Sequence, residues 1–367
     1  MRAELDNQNN RQPRGAERPA FSRRAFLRVS AAGASGALIV GTAGFAIGWP
    51  SAGAAEIPDW TAADIPAQNG RRVLVTGGNG YPQGDRSGLG YQDALALARA
   101  GARVTIASRD QARGEEAVQR ILADAPGSEV RFETLDLANL TSVRAFAARM
   151  RATGQGLDVL INNAGVMGRF NREVSVDGFE RVFATNTLGH FVLTAQLLPL
   201  LRRGREPRIV WVSSMRISDT LPFHDLQLEH SYDYAAAYDN TKLANLMLAL
   251  EFERRSKTAG WGVSSVAAHP GVARTNLIPN GPGLNSAEGW RLRMLPFMFQ
   301  PAAEGALPTL YAAASPQAVA GGYYGPNGFQ GMRGLPGPVS IPVSAQNLQS
   351  AAILWASLER LGQVSLS

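Results

Sequence analysis

Beyond residue 70 the chain alternates two hydrophobic patterns. Short apolar runs occupy residues 72–76, 103–108, 129–134, 157–161, 208–212 and 263–267. Between them lie longer amphipathic stretches, at 88–100, 110–123, 140–152, 175–202 and 234–257. Apolar strands without polar alternation are buried on both faces, and strands alternating with helices of this length make parallel βαβ units. The pattern predicts an α/β fold: a doubly wound parallel sheet, three layers, in a single domain over 71–367. After Pro270 the periodicity fails, and prolines and glycines crowd residues 279–301. A long irregular segment in such a domain is usually functional, and a lid over a substrate is expected there.

The first 55 residues follow another logic. Ser22-Arg23-Arg24-Ala25-Phe26-Leu27-Arg28 precedes an uncharged stretch, 29–49, then Pro50 and the small residues 51–55. A basic start, an apolar middle and a small-residue end make a targeting segment. It resembles a twin-arginine (Tat) signal, which implies the Tat export machinery as a partner and an exported protein, cleaved near Ala54 or Ala55. The other reading of 29–49 is a membrane anchor, although its Gly, Ala and Ser content makes it weakly apolar. Residues 56–70 then form a polar linker with one aromatic anchor, Trp60.

Composition narrows the function. With 45% hydrophobic and 18% charged residues, this is an ordinary globular chain. The net charge of +6 suggests nucleic acid, but seven of the 34 arginines fall within the first 28 residues and no basic block follows. No nucleic-acid partner is expected. Cysteine is absent, which excludes disulfides, thiolate metal sites and a cysteine nucleophile. His190, His224, His230 and His269 show no ligand spacing, so no metal site is expected. Lysine occurs only at Lys242 and Lys257. A lysine kept in so arginine-rich a chain marks a place that needs a compact ammonium.

Directly after the first expected strand comes Thr76-Gly77-Gly78-Asn79, and Ser87-Gly88-Leu89-Gly90 opens the first helix. Glycines at such a turn let the backbone approach a pyrophosphate at the helix N-terminus, which points to a dinucleotide cofactor. The second strand ends in Ala107-Ser108-Arg109, where NAD binders carry a carboxylate for the ribose. Arg109 suits a 2′-phosphate, so the expected cofactor is NADP(H). Tyr238 and Lys242 are four residues apart in a helical stretch and share a face. An ammonium beside a phenol favours the phenolate, and is expected to bring its pKa towards working pH for general acid–base chemistry.

These residues, with Asp136-Leu137, Asn162-Asn163-Ala164-Gly165, Asn186-Thr187-Leu188-Gly189, Val212-Ser213-Ser214 and Pro270-Gly271 ahead of Thr275, resemble the short-chain dehydrogenase/reductase family. Pro222-Phe223-His224-Asp225-Leu226-Gln227 is similar to its retinol-dehydrogenase-like subgroup, and the likeness runs from about Trp60 to the C-terminus. The resemblance implies a Rossmann-type fold and an oxidoreductase interconverting an alcohol and a carbonyl on a small, apolar molecule. It implies Tyr238 as proton carrier and Lys242 as the group that lowers its pKa and holds the nicotinamide ribose. Ser214, rather than Ser213, would hold the substrate oxygen, and Asn186 would position a water leading from Lys242 to solvent. Implied cofactor contacts are Gly77, Ser87, Gly88, Leu89 and Gly90 at the phosphates, and Asp136 and Leu137 near the adenine. Asn163, Ala164 and Gly165 lie along the adenosine side, with Pro270, Gly271 and Thr275 towards the carboxamide. A homo-dimer or homo-tetramer through 175–202 and 234–257 is also implied. His190 and His224 read as structural, and His269 can line the cofactor cleft.

One feature departs from the family. Ten residues separate Gly77 from Gly88, which leaves 80–86 as an insertion in a turn that is normally short. Either this loop closes over the cofactor, with Tyr81 or Arg86 as a clamp, or it spoils the phosphate cradle. Two further functions stay open on sequence: an epimerase, isomerase or lyase cycling a captive cofactor, and a catalytically silent nucleotide-binding scaffold.

Overall fold

The computed structural model describes residues 59–366; the twin-arginine segment, its expected cleavage region and residues 56–58 lie outside the described residues. In chain order the main elements are β1 (Arg72–Thr76), α1 (Leu89–Arg99), β2 (Arg103–Ser108), α2 (Gln111–Asp124), β3 (Glu129–Thr134), α3 (Leu140–Ala152) and β4 (Val159–Asn162). Next comes α4, in which Arg181–Phe183 and Gly189–Leu201 are joined by a π-helical turn, Ala184–Leu188. Then follow β5 (Arg208–Val212), α5 (Tyr234–Ala259), β6 (Ser264–Ala268), α6 (Ala287–Met294), α7 (Ala302–Ala314), β7 (Tyr323–Pro326), β8 (Pro336–Pro338) and α8 (Leu348–Gly362).

The strands form one sheet in the order β3-β2-β1-β4-β5-β6-β7-β8. Neighbours are parallel except the edge pair β7–β8, which the sequence pattern did not anticipate. Side chains alternate between the two faces, as a pleated strand requires. In β1, Leu74 joins one core with Leu160 of β4 and Trp211 of β5, while Val73 and Val75 join the other. The first core packs under α3, α4, α5 and α8, the second under α1, α2 and α7. Burial on both sides is why the strands read as uninterrupted apolar runs.

Two boundaries differ from the sequence reading for local reasons. The helix expected from residue 175 begins at Arg181, because Gly178 (φ +84°) closes a turn between Ser175 and Phe179. The Glu180 carboxylate then caps the helix, accepting from the amides of Val182 (2.9 Å) and Phe183 (2.7 Å). The segment after Pro270 contains regular elements the periodicity had hidden. α7 is buried almost all round, and β7 and β8 are short and rich in Gly and Pro, so neither shows an amphipathic signal.

The linker anchor Trp60 is buried, its ring edge-on to Tyr311 of α7 at 5.3 Å. α8 lies across α4 and α5, with Trp355 edge-on to Phe191 at 5.0 Å and 6.3 Å from Phe252. α4 and α5, the helices expected to meet a second copy, thus pack against the chain's own last helix. Among the described residues no helix is long and apolar enough to cross a membrane.

Candidate active site

In a doubly wound sheet the crevice opens at the carboxyl ends of the strands where the order reverses, here between β1 and β4. A cleft of about 1030 Å³ lies there. One end is backbone and glycine. Gly77 has φ +74°, and a Cβ on it would sit 2.9 Å from Ala164 Cα. A Cβ on Gly90 would run into the Asn163 amide nitrogen. These close approaches let the turn after β1 nest against the segment after β4, which only glycine allows. Gly88 caps α1 without any side-chain hydrogen bond, and Gly88 and Leu89 line the cleft. The first-turn amides are therefore free for an anion, the chemistry a pyrophosphate needs.

One hydroxyl holds this floor together. Thr76 Oγ1 accepts from the amides of Asn163 and Ala164, both at 3.0 Å, and lies 2.9 Å from His190 Nε2. His190 Nδ1 is 3.0 Å from the Asn186 carbonyl, which can only accept, so Nδ1 carries the proton and Nε2 receives the Thr76 hydroxyl. Burial pushes the His190 pKa down to about 4, so the ring is neutral and structural, as the sequence suggested.

Beyond the carboxyl end of β2, Arg109 and Arg113 both line the cleft. Neither has a carboxylate partner among the described residues, whereas Arg169, Arg181 and Arg216 in the same cleft each pair with one. Asp110, the acid that follows Arg109, is turned into α2 as its cap, accepting from the Arg113 amide at 3.0 Å. Asp110 also lines the cleft, with its other carboxylate oxygen left over from the cap. Arg113, in the first turn of α2 where Arg109 lies just ahead of the cap, was missed on sequence. Asp136, Leu137, Asn163, Ala164, Gly165, Pro270, Gly271 and Thr275 all line the cleft as expected.

Several expected contacts do not face it. Ser87 is buried, its hydroxyl 3.2 Å from the Gly80 carbonyl and accepting from Gln92 at 3.0 Å, so it seals the base of the insertion. Gly90 lies beneath Asn163 and supports the turn without lining it. His269 also lies outside the lining; its Nδ1 accepts from the Gly271 amide at 3.2 Å, and burial lowers its pKa to about 4. Tyr81 and Arg86, the two clamp candidates, do not line the cleft either. The neck of the insertion is pinched shut, the Gly88 amide donating to the Gly80 carbonyl at 2.6 Å, and of residues 80–86 Gly80 alone lines the cleft.

At the far end, Ser214, Tyr238 and Lys242 converge on the cleft. The two serines have separate tasks. Ser213 is buried and its hydroxyl donates to the Lys242 carbonyl at 2.7 Å, whereas the Ser214 hydroxyl accepts from the Arg216 amide at 3.0 Å and neighbours the Tyr238 phenol. Lys242 Nζ lies 5.5 Å from the Tyr238 ring centre and donates to the Val212 carbonyl at 3.0 Å. The pair shares a helical face, but the electrostatics differ from the sequence argument. Burial dominates both groups, pushing the Tyr238 phenol up to about 12 and the Lys242 ammonium down to about 8. The neighbouring Ser214 hydroxyl acts in the opposite sense on the phenol.

Asn186 sits in the π-helical turn, beneath the cleft. Its amide is spent on the Val166 amide (2.8 Å), the Val166 carbonyl (3.0 Å) and Thr241 Oγ1 (3.1 Å). With His190 on its main-chain carbonyl, Asn186 keeps one lone pair there and one on Oδ1, which accepts from Val166 alone. The segment 279–301, where a lid is expected, lines this end of the cleft. A one-turn helix, Leu277–Asn280, together with Leu295, Met298 and Phe299, gives this end an apolar wall. Arg216, unnoticed in the sequence, grips Asp239 beside Tyr238 (3.0 Å) and Glu288 of α6 (3.3 Å), and Tyr234 donates to Glu288 at 3.1 Å.

The sequence profile of the short chain dehydrogenase family matches residues 71–280. Retinol dehydrogenase 12 of Mus musculus is 41% identical over 254 residues, 69% of this chain and 75% of the relative. Polyprenol dehydrogenase of Mus musculus is 39% identical, covering 71% of this chain and 76% of the relative. Among solved structures, an uncharacterised protein from Mycobacterium paratuberculosis superposes with a TM-score of 0.68 at 37% identity, over 84% of this chain and 99% of its own. A structure from Beutenbergia cavernae, assigned as an NAD(P) dependent gluconate 5-dehydrogenase and holding NADP at low occupancy, gives a TM-score of 0.55 at 25% identity, over 70% of this chain and 95% of its own. The chain belongs to the short-chain dehydrogenase family, an oxidoreductase whose homologues are retinol dehydrogenase-like.

Proposed function

We propose that this chain is an NADP(H)-dependent oxidoreductase that interconverts an apolar alcohol and its carbonyl, with Tyr238 as the acid–base group. The single observation that carries the reading is the shape of the cleft: a glycine cradle at one end, Tyr238 and Ser214 at the other, and two arginines without carboxylate partners beyond the cradle. A nicotinamide nucleotide held there would supply or accept the hydride. Gly77, Gly88 and Leu89 would hold its pyrophosphate, and Arg109 its 2′-phosphate.

The chain's own groups do the rest. A phenol held near 12 is protonated at neutral pH, so Tyr238 is ready to donate to a substrate carbonyl oxygen. The Ser214 hydroxyl, beside the Tyr238 phenol, would bond the same oxygen, where negative charge develops. Once Tyr238 has given its proton, Lys242 stabilises the phenolate and Asn186 keeps the floor beneath them rigid. Met167, Met215, Leu277, Ile278, Met298 and Phe299 exclude water and suit a hydrocarbon chain. The alcohols named in the two mouse relatives, retinol and polyprenol, are of that apolar kind.

The test is turnover of NADPH with a panel of apolar aldehydes and ketones, and of NADP⁺ with the matching alcohols. Loss of turnover in Y238F, with nucleotide binding retained, is the expected result. A wild-type protein that binds nucleotide but turns over nothing on the panel would sink the proposal. Tat export rests on Arg23 and Arg24; a reporter fused after residue 55 should leave the cytoplasm, and stay inside when both are replaced by lysine.

A further inference from the structure

The insertion at 80–86 has no task in the reading above, yet it is a built element. Its neck is closed by Gly80 and Gly88, and its tip by mutual bonds between Gln83 and Arg86 (2.8 and 3.3 Å) around Gly84 at φ +61°. One flank is tied to the loop after β6, where the Ser87 amide donates to the Arg274 carbonyl at 3.3 Å and Asp85 lies 3.9 Å from the Arg274 guanidinium. The other flank ends in Tyr81, half-buried on the α1–α2 core. Its ring lies between two guanidinium groups of α2, Arg113 at 5.3 Å and Arg120 at 4.5 Å, and Arg120 is fixed by Glu116 at 2.6 Å. Arg113 is the arginine that lines the cleft beyond β2 without a carboxylate partner.

We propose that the insertion is a cofactor-specificity strap: Tyr81 stacks on Arg113 and holds its guanidinium for the 2′-phosphate of NADP(H), alongside Arg109. An unpaired arginine on a helix surface samples many rotamers, and ordering it costs affinity when an anion binds. A ring face favours one orientation through cation–π attraction before the phosphate arrives. The strap acts at the adenosine end only, so it sets the choice between NADP(H) and NAD(H) and leaves the reacting end alone. Tyr81 is a positioning residue; Arg113 is the one that touches the ligand.

The inference rests on the NADP(H) reading, and one set of titrations separates the two. Affinities for NADPH and NADH are measured by protein fluorescence on the full chain, wild type and the variants Y81A, Y81F, R113M and R109M, each checked for an unchanged melting curve. Y81A should weaken NADPH about threefold to fivefold and leave NADH unchanged, the size of one ordered cation–π contact. Y81F, which keeps the ring, should behave as wild type. R113M should lose about tenfold or more for NADPH only. If R109M lowers the NADPH preference while Y81A and R113M do not, the strap is refuted and the NADP(H) reading stands. A wild type that binds NADH as tightly as NADPH refutes both. Equal losses for both nucleotides in Y81A would show a role in folding the cradle, and overturn the specificity assignment.

Discussion

Lys242 donates from Nζ to the main-chain carbonyl of Val212 at 3.0 Å, anchoring a buried ammonium at the end of β5 with no carboxylate to neutralise it. Its pKa falls from 10.5 to about 8 through burial, so the folded state disfavours the charge that the unfolded chain keeps. The penalty from Lys242 is therefore full below pH 8 and fades as pH rises from 8 to 10.5, because the unfolded chain binds the extra proton in that window. K242M should abolish turnover and yet gain stability at neutral pH, by about 1–3 kcal/mol, with the gain shrinking through that window. Denaturant melts at a series of pH values check it, and a pH-independent difference would contradict the buried-charge account.

The two adjacent serines should separate cleanly. S214A removes the hydroxyl facing the substrate oxygen and should cost about a hundredfold to a thousandfold in kcat with little change in melting. S213A removes the bond to the Lys242 carbonyl and should cost about 1 kcal/mol of stability, with a smaller effect on rate. Steady-state kinetics beside thermal melts would show a reversed pattern if Ser213 were the working hydroxyl.

Arg216 makes the lid part of the active site. It grips Asp239, next to Tyr238, and Glu288 of α6 at once. E288A should let the lid fray and raise KM about tenfold, with a smaller change in kcat and no loss of fold. An unchanged KM would show that the lid is held by its apolar contacts alone.

α8 should keep the chain monomeric. It packs against α4 and α5, and Trp355 is buried between Phe191 and Phe252. Light scattering on the purified protein is expected to give one chain per particle; a dimer or tetramer would mean that another surface is used. W355A should destabilise by about 3–5 kcal/mol and promote association through the uncovered helices.

His190 sets an acid limit. Its folded pKa of about 4 lies below the ordinary 6.5, so its contribution is complete above pH 6.5 and is lost as pH falls towards 4. His269 titrates over the same window. H190Q should reduce the stability slope between these values, read from chemical melts; an unchanged slope would contradict the buried neutral ring.

The sequence alone determined the parallel strands β1 to β6, the glycine turn and the shared face of Tyr238 and Lys242, while Ser214 joined that pair only through the family resemblance. The first three are local signals: a strand buried on both faces must be apolar along its length, and residues four apart on a helix must share a side. What it could not determine was anything set by contacts between distant segments. The effect of the insertion was decided by Gly80 meeting Gly88, and Tyr81 was placed by α2, not by its neighbours in the chain. The elements after Pro270 escaped because a helix buried all round loses its amphipathic rhythm. The pKa of Tyr238 followed burial over the charge of Lys242, since desolvation is a property of the whole packed site and no spacing of residues encodes it.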